Sequence, residues 1–324
     1  MRTILVASTL FVSAAMGQTA ERVFHFSSTD TPQQIGEIAT VIRSIGNISS
    51  LSTDSGQKTL SVHGTDSQVS LADWIFNELD QSAPNPNVHE YRLSETGDPD
   101  NVVRVFYLNH APSLQQLQEV ATLVRSVVEV RRLFTYNSTR AIVIRGTVSQ
   151  VALSAWLIGE LDKPAPDSAK HEYHMPGDGD DIVRVLYLPH AQTVQDFQEE
   201  AVLIRSIADI RRLFTYNAPK AIALRGTKDQ MALAEWFVSE FDKSPAGSGT
   251  PREFHLDGGP ENVVGLFYLT HAATPQRLQE IAVDVRTTTG VRRLFTYNAP
   301  RAMALRGTAD QIAQAERLIA ERDR

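Results

Sequence analysis

Histidine is the residue of this chain best suited to chemistry, because the sequence contains nine histidines and no cysteine. His110, His190 and His271 each follow a predicted strand and precede a helix start, at offsets of 80 and 81 residues. A metal or catalytic site needs several such groups to converge, and these converge only if distant segments meet. His171 and His174 are three residues apart in a predicted strand, which directs their rings to opposite faces. The histidines therefore predict hydrogen-bonded structural roles and no metal centre.

Two acidic loops that contain glycine, Glu95–Asp100 and Asp178–Asp181, could suggest calcium. Neither has the Asp-x-Asp-x-Asp-Gly spacing with a distal glutamate. We expect solvated hairpin loops, with weak ion binding as the open alternative. The sequence also has no Gly-x-Ser-x-Gly, phosphate-binding loop or dinucleotide fingerprint. We therefore expect no catalytic residue, no metal and no cofactor.

The charge balance argues against nucleic acid as a partner. The chain carries 31 Lys and Arg against 38 Asp and Glu, a net charge of -7, whereas a phosphate-backbone binder needs a basic surface. At 42% hydrophobic and 21% charged residues, the 324-residue chain can fill several folded cores.

The first 17 residues have the pattern of a secretory signal. Arg2 gives a positive start, Ile4 to Val12 form a short apolar stretch, and Gly17 ends a run of small residues. This stretch is too short for a permanent membrane span. We expect a periplasmic or secreted protein with no integral membrane segment after signal removal.

The remaining chain consists of four copies of one unit. Arg-Arg-Leu-Phe-Thr-Tyr-Asn occurs at 131–137, 211–217 and 292–298. A divergent fourth copy lies upstream, where a shift of 82 aligns Phe24 with Phe106. The predicted boundaries are a signal at 1–17 and modules at 21–81, 88–163, 170–243 and 252–324. The joints at Ser82–Asn87, Pro164–Ala169 and Ser244–Pro251 are rich in Pro, Ser, Gly and Ala, as linkers are.

Each copy predicts a βαββα unit. A strand with alternating apolar residues, Val103–Leu108, is followed by an amphipathic helix, a hairpin and a second helix. Thr147-x-x-Gln150 is a capping box at the start of the second helix, and all four copies contain it. The predicted class is α+β, with four tandem βαββα modules, each a small mixed sheet with two helices on one face. Modules 2 to 4 add leading strands that module 1 lacks: His89–Leu93, His171–Met175 and Arg252–Leu256.

Several motifs together carry a resemblance to a known family. The Tyr-Leu-x-His-Ala strand end, the Leu-x-Thr-x-Asn hairpin, the Gly-Thr-x-x-Gln helix start and the closing Leu-Asp recur along the chain. This order resembles the periplasmic N-terminal modules of bacterial secretins. The resemblance implies KH-like modules that pack on their neighbours at the outer membrane. Secretins continue into a channel-forming β-domain and this sequence stops at Arg324, so channel activity is not expected. The Gly-x-x-Gly loop with which KH domains clamp RNA is also missing.

Comparison of the copies separates two surfaces that are not core. On the back of the sheet, module 1 has His25, Ser52 and Asp54 where the other modules have aromatic residues. Those aromatic residues are Tyr107, Phe134 and Tyr136, then Tyr187, Phe214 and Tyr216, then Tyr268, Phe295 and Tyr297. On the second helix, modules 1 to 3 have a Leu and Trp stripe formed by Leu71 and Trp74, Leu153 and Trp156, and Leu233 and Trp236. Module 4 has Gln314 and Arg317 there.

Module 1 lacks the aromatic sheet back and module 4 lacks the Leu and Trp stripe. One arrangement explains both: the modules stack head to tail, with each Leu and Trp stripe against the aromatic sheet back of the next module. The first and last modules are then polar end caps. The alternative is that each leading strand covers the aromatics of its own module and the modules do not touch. The expected function is a non-catalytic adaptor or scaffold, with protein partners such as secretin or pilus components. A stand-alone protein that binds a peptide or an envelope polymer is the alternative, and the oligomeric state stays open.

Overall fold

The computed structural model describes residues 19–83, 89–94, 97–165, 171–177, 181–241, 243 and 251–324. The predicted signal at 1–17 lies outside these residues, as do parts of the three predicted linkers and of both acidic loops. Among the helices of this described part, none combines the length and apolarity that crossing a membrane requires.

The described elements repeat in four groups. Module 1 contains β1 (Thr19–His25), α1 (Pro32–Gly46), β2 (Ser50–Asp54), β3 (Thr59–Thr65) and α2 (Asp66–Leu79). Module 2 contains β4 (Glu90–Arg92), β5 (Val102–Tyr107), α3 (Leu114–Val128), β6 (Arg132–Tyr136), β7 (Ala141–Gly146) and α4 (Val148–Leu161). Module 3 contains β8 (Glu172–His174), β9 (Ile182–Tyr187), α5 (Val194–Ile207), β10 (Arg212–Tyr216), β11 (Ala221–Gly226) and α6 (Lys228–Phe241). Module 4 contains β12 (Arg252–His255), β13 (Val263–Tyr268), α7 (Pro275–Thr289), β14 (Arg293–Tyr297), β15 (Ala302–Gly307) and α8 (Ala309–Arg322). The predicted α+β class with tandem βαββα units is confirmed.

Each sheet places its second hairpin strand in the middle. The order is β1-β3-β2 in module 1 and β4-β5-β7-β6 in module 2, and modules 3 and 4 repeat the second pattern. All described neighbours are antiparallel, whereas the sequence had predicted mixed sheets. The reason is the strand order. Two strands joined through a helix, such as β1 and β2, run parallel, but β3 lies between them and is antiparallel to both.

The helix starts follow from local sequence. In α4, the Thr147 side chain accepts a hydrogen bond from the Gln150 amide, and the Gln150 side chain accepts one from the Thr147 amide. The same reciprocal pair begins α2, α6 and α8. Each pair satisfies helix amides that would otherwise lack partners. The capping boxes predicted from sequence are therefore present in every module.

The two helices of a module pack on the front face of its own sheet. In module 2, Phe106, Leu108, Leu133 and Ile142 are buried there against the helices. Module 4 has a core of its own residues alone. The buried clusters of modules 1, 2 and 3 each extend into residues of the following module, so the helices cover two surfaces at once.

Candidate inter-module interface

Three junctions join the four modules, and apolar side chains form the centre of each. The core of module 1 continues into Val103, Val105, Tyr136, Ala141 and Val143, which line the back of the second sheet. The core of module 2 continues in the same way into Val183, Val185, Tyr216, Ala221 and Ala223. The core of module 3 continues into Val264, Leu266, Tyr268, Tyr297, Ala302 and Ala304. Each sheet back in modules 2 to 4 is thus covered by the helices of the preceding module.

The three tryptophans lie on the leading strands of the following modules. The ring centroids of Trp74 and Tyr91 are 5.6 Å apart, and Trp156 and Tyr173 have the same separation. Trp236 is 5.6 Å from Phe254 in the third junction. The leading strand is a fourth strand at the sheet edge, so its aromatic residue adds to the apolar surface on the back of the sheet. It does not fold over the aromatics of its own module.

The other residues of the predicted interface lie within the same clusters. The leucines beside the tryptophans are fully buried, Leu153 at 0% and Leu233 at 1% exposure. Tyr136, Tyr216 and Tyr297 are buried as well, at 2 to 3% exposure. The phenylalanines of the hairpin, Phe134, Phe214 and Phe295, are half-buried against the preceding module.

A tyrosine on each covered sheet back donates a hydrogen bond across the junction. The hydroxyl of Tyr107 lies 2.6 Å from the carbonyl oxygen of Glu78, near the end of α2. Tyr187 and Tyr268 make the equivalent bonds to Glu160 and Glu240, at 2.9 and 3.2 Å. These bonds satisfy helix-end carbonyls that lack an intrahelical partner. Module 1 has His25 at this position, and within the described residues, which start at Thr19, no helix precedes it.

Burial raises the pKa values of the junction tyrosines. The pKa of Tyr107 rises well above its ordinary value, because of burial and then of the nearby Glu78. Burial raises the pKa of Tyr268 to about 12, with Glu240 and Glu200 adding to the increase and Arg252 opposing it. Burial also raises the pKa of Tyr216 to about 12, with Asp162 a smaller cause. The junctions therefore hold these hydroxyls in the neutral form.

A glutamate on the first helix of each module binds the hairpin of the next. The Glu37 carboxylate accepts hydrogen bonds from the backbone amide and side-chain amide of Asn137, at 3.0 and 2.9 Å. Glu119 makes both bonds to Asn217 at 3.0 Å. Glu199 binds Asn298 with the same geometry. Paired bonds to a carboxylate are charge-assisted and directional, so they fix the register of one module on the next.

An arginine of each following module reaches the end of the same helix. Arg145 donates to the carbonyl oxygen of Ile45 at 2.9 Å, close to the C-terminus of α1. Arg225 donates to Val127 and Arg306 to Ile207 at 3.3 and 3.4 Å. A cation at a helix C-terminus is favourable because carbonyl dipoles point toward it. The arginines therefore contribute charge complementarity to an otherwise apolar contact.

The two ends of the series lack these partners. In module 1, Ser55 and His63 occupy the positions of Asn137 and Arg145, and the sheet back is mostly polar and exposed. In module 4, Glu280 occupies the position of the clamping glutamate and is exposed, with Arg277 as its neighbour at 3.1 Å. The equivalents of the Leu and Trp stripe there are Gln314, half-buried, and Arg317, exposed.

Sequence reasoning missed the contribution of the first helices. Val41 and Phe134 line one groove between α1 and β6, and Leu123 and Phe214 line the equivalent groove between α3 and β10. Both aliphatic residues are 1% exposed. The equivalent in module 3 is the buried Leu203, whereas module 4 has Asp284. Comparing the four modules at this position would have identified this contact of the first helices, because only module 4 has a charged residue there.

The three histidines at the strand ends each have a partner within their own module. The ring nitrogen Nδ1 of His110 lies 2.8 Å from the carbonyl oxygen of Asp162, and His271 has the same contact with Asp323 at 3.1 Å. His190 Nε2 is 2.6 Å from a Glu200 carboxylate oxygen, and Glu200 is fully buried. Across the residues that the structure describes, no group of three or more His, Asp or Glu side chains could hold a metal ion.

The described parts of the acidic loops contact arginines. Asp98 accepts a hydrogen bond from Arg145 at 2.8 Å and from Arg132 at 3.3 Å. A hydrogen bond from the Asp100 amide lowers the pKa of Asp98, and the two arginines lower it further against the effect of burial. In the second loop, Asp181 binds Arg225. The remaining residues of these loops, 95, 96 and 178–180, lie outside the described residues.

Comparison with known proteins gives structural similarities only. No protein-family model matches the chain, and no curated protein matches it in sequence. The N-terminal domain of the secretin XcpQ from Pseudomonas aeruginosa is similar at 12% identity, covering 69% of this chain and 100% of that one, with a TM-score of 0.23. ExeD of Aeromonas hydrophila is similar at 14% identity over 90% of this chain and 59% of that chain, with a TM-score of 0.18. Dim2p of Pyrococcus horikoshii OT3 is similar at 13% identity over 45% of this chain and 93% of that one, with a TM-score of 0.26. The chain is thus structurally similar to secretin N-terminal domains over much of its length.

Proposed function

We propose that this protein is a non-catalytic scaffold or adaptor that acts through protein–protein contacts in an envelope secretion or pilus machine. The observation that carries the proposal is the threefold repetition of one junction. Apolar packing, a tyrosine bond, a glutamate clamp and an arginine cap recur at each of the three. These repeated contacts hold four modules in a defined order. Such a chain is suited to binding partner proteins at defined distances from each other.

The two unlike ends support the same proposal. The sheet back of module 1 is mostly polar and exposed, while the helices of module 4 carry exposed charged residues. Two different end surfaces allow two different partners to be held at a fixed separation.

Capture of partners from cells tests the proposal. The full chain, tagged at its C-terminus, is cross-linked in living cells of its source and recovered from the envelope fraction. We expect secretin or pilus components to be retained. The junction variant Leu123→Asp is expected to lose partners that need the correct spacing, and Val202→Asp, which changes an exposed residue of α5 in module 3, is the matched control. Recovery of no such component, together with a recurring peptide or envelope polymer, would favour a stand-alone binding protein instead.

The proposed location is outside the cytoplasm. The positive start, the short apolar stretch and the small residues before Gln18 support export through a cleaved signal. N-terminal sequencing of the protein from the envelope fraction tests this point, with a mature start near Gln18 as the expected result. A start at Met1 in the cytoplasmic fraction would contradict it.

A further inference from the structure

The first described strand, β1, has an edge on which no other described strand pairs. In the part of the chain that the structure describes, β1 pairs only with β3. The equivalent strands β5, β9 and β13 have a leading strand on that side. The open edge is seven residues long, while the leading strands that form the corresponding edges elsewhere have three or four. Long open edges are where proteins accept an added strand.

The backbone groups that face this edge can be assigned from the hydrogen bonds. The Phe26 amide donates to the Lys58 carbonyl at 2.9 Å on the β3 side. Because backbone groups alternate sides along a strand, those of Glu21, Val23 and His25 point away from β3. In module 2 the leading strand binds the equivalent groups, since the Leu93 amide donates to Asn101 at 2.8 Å.

The side chains of the same three residues are self-complementary. Glu21, Val23 and His25 lie on the open sheet back, and Val23 is 47% exposed. An acidic residue thus precedes a central apolar residue by two positions, and a basic residue follows it by two. In an antiparallel pair of identical strands centred on Val23, each glutamate lies opposite a histidine. Centring the pair on Glu21 or on Arg22 would instead place like charges opposite each other.

We propose that a second copy of this chain occupies the β1 edge, antiparallel and centred on Val23, so that two first modules form one continuous sheet. Val23 lies opposite the second copy's Val23, and Glu21 lies opposite the second copy's His25. At each of these pairs both N–H···O bonds are exchanged, because all three residues direct their backbone groups outward. The dimer would join two arrays at their N-terminal ends and leave both C-terminal ends free.

Disulfide cross-linking tests the register directly. The chain has no cysteine, so Val23→Cys introduces a single thiol at an exposed position. Facing residues in a hydrogen-bonded antiparallel pair have Cα atoms about 5.5 Å apart, which is within the range that a disulfide spans. We expect mild oxidation of the chain starting at Gln18 to give a covalent dimer for Val23→Cys. Ser52→Cys, on the same face of β2 at the other edge, is the control and should stay monomeric.

Charge exchange tests the pairing energetically. Sedimentation equilibrium of the same chain should show a dimer that Glu21→Lys weakens about tenfold or more, because a lysine ammonium cannot accept the hydrogen bond that each carboxylate accepts from the facing imidazole. The double variant Glu21→Lys with His25→Glu should restore it. Ser52→Lys adds charge to the same face away from the edge and should have little effect. A monomeric wild-type chain would overturn the proposal. So would a dimer that Glu21→Lys does not weaken and that Val23→Cys does not cross-link.

Discussion

The back of the first sheet differs from the backs of the other three sheets in its side chains, although the order of the equivalent strands is the same. The strand order β1-β3-β2 of the first sheet corresponds to the order β5-β7-β6 in the second sheet. Under module 1, Tyr136 is buried and Tyr107 is half-buried, whereas Asp54 and His25 at the same positions are exposed. The front faces keep their apolar residues in all four modules. Residues on the front therefore specify the fold of a module, and residues on the back specify whether a module precedes it.

A charge placed in one junction should separate the two modules and expose the sheet back that the junction covers. Leu123→Asp copies into module 2 the aspartate that module 4 has at this position. Because Leu123 is fully buried against module 3, we expect a loss of more than about 4 kcal/mol in the free energy of unfolding, from lost packing and charge burial. Urea denaturation should then show two transitions, as modules 1–2 and 3–4 unfold separately.

The matched control is Val283→Asp, one position before Asp284 on the same helix of module 4. Val283 is 57% exposed, so the change should be within about 0.5 kcal/mol, as surface substitutions usually are. Equal losses for the two variants, or a single unchanged transition for Leu123→Asp, would contradict the assignment of the first helices to the junctions.

Much of this organisation was predictable from the sequence, because the copies act as internal controls for each other. Capping boxes and strand alternation predict the βαββα unit, and polar replacement in one copy singles out the Trp stripe and the sheet backs. The first helices were missed because Leu123 looks like an ordinary core residue when a helix is buried on two faces. The clamp between Glu119 and Asn217 joins residues 98 apart in sequence, and no local pattern predicts such a pair.

Removing an aromatic ring from the junction should have a smaller effect than adding a charge. Trp156 is half-buried and packs on Tyr173 of the next module. We expect Trp156→Ala to destabilise the protein by about 3 kcal/mol, near the lower limit for deletion of a large aromatic side chain. The equivalent change at the C-terminal end, Arg317→Ala, should be nearly neutral. Thermal unfolding of both variants measures the difference, and equal shifts would show that the Trp stripe stabilises only its own module.

Alkaline pH should weaken the covered sheet backs selectively. The folded-state pKa of Tyr268 is about 12, against an ordinary value of 10.0. The unfolded chain therefore loses the tyrosine proton first, so the stabilisation is complete below pH 10 and is lost as the pH rises toward 12. The loss is on the order of 2 kcal/mol for this residue. Unfolding measured from pH 9 to 12 should show a weaker pH dependence in Tyr268→Phe, which cannot ionise. An unchanged profile would contradict the burial of this hydroxyl as the cause.

The glutamate clamp offers the finest comparison, because the same residue type occurs with and without an asparagine of a following module as its partner. Glu119 binds both amides of Asn217, whereas Glu280 of module 4 is exposed beside Arg277. Glu119→Gln keeps the shape but removes the charge, and since the bonds are charge-assisted we expect a cost of about 1 kcal/mol. Glu280→Gln loses only an exposed ion pair and should cost less than about 0.5 kcal/mol. Chemical denaturation of both variants in low and high salt decides the matter. If Glu280→Gln cost as much as Glu119→Gln, this glutamate would stabilise its own helix, and register between modules would depend on apolar packing and the arginine caps alone.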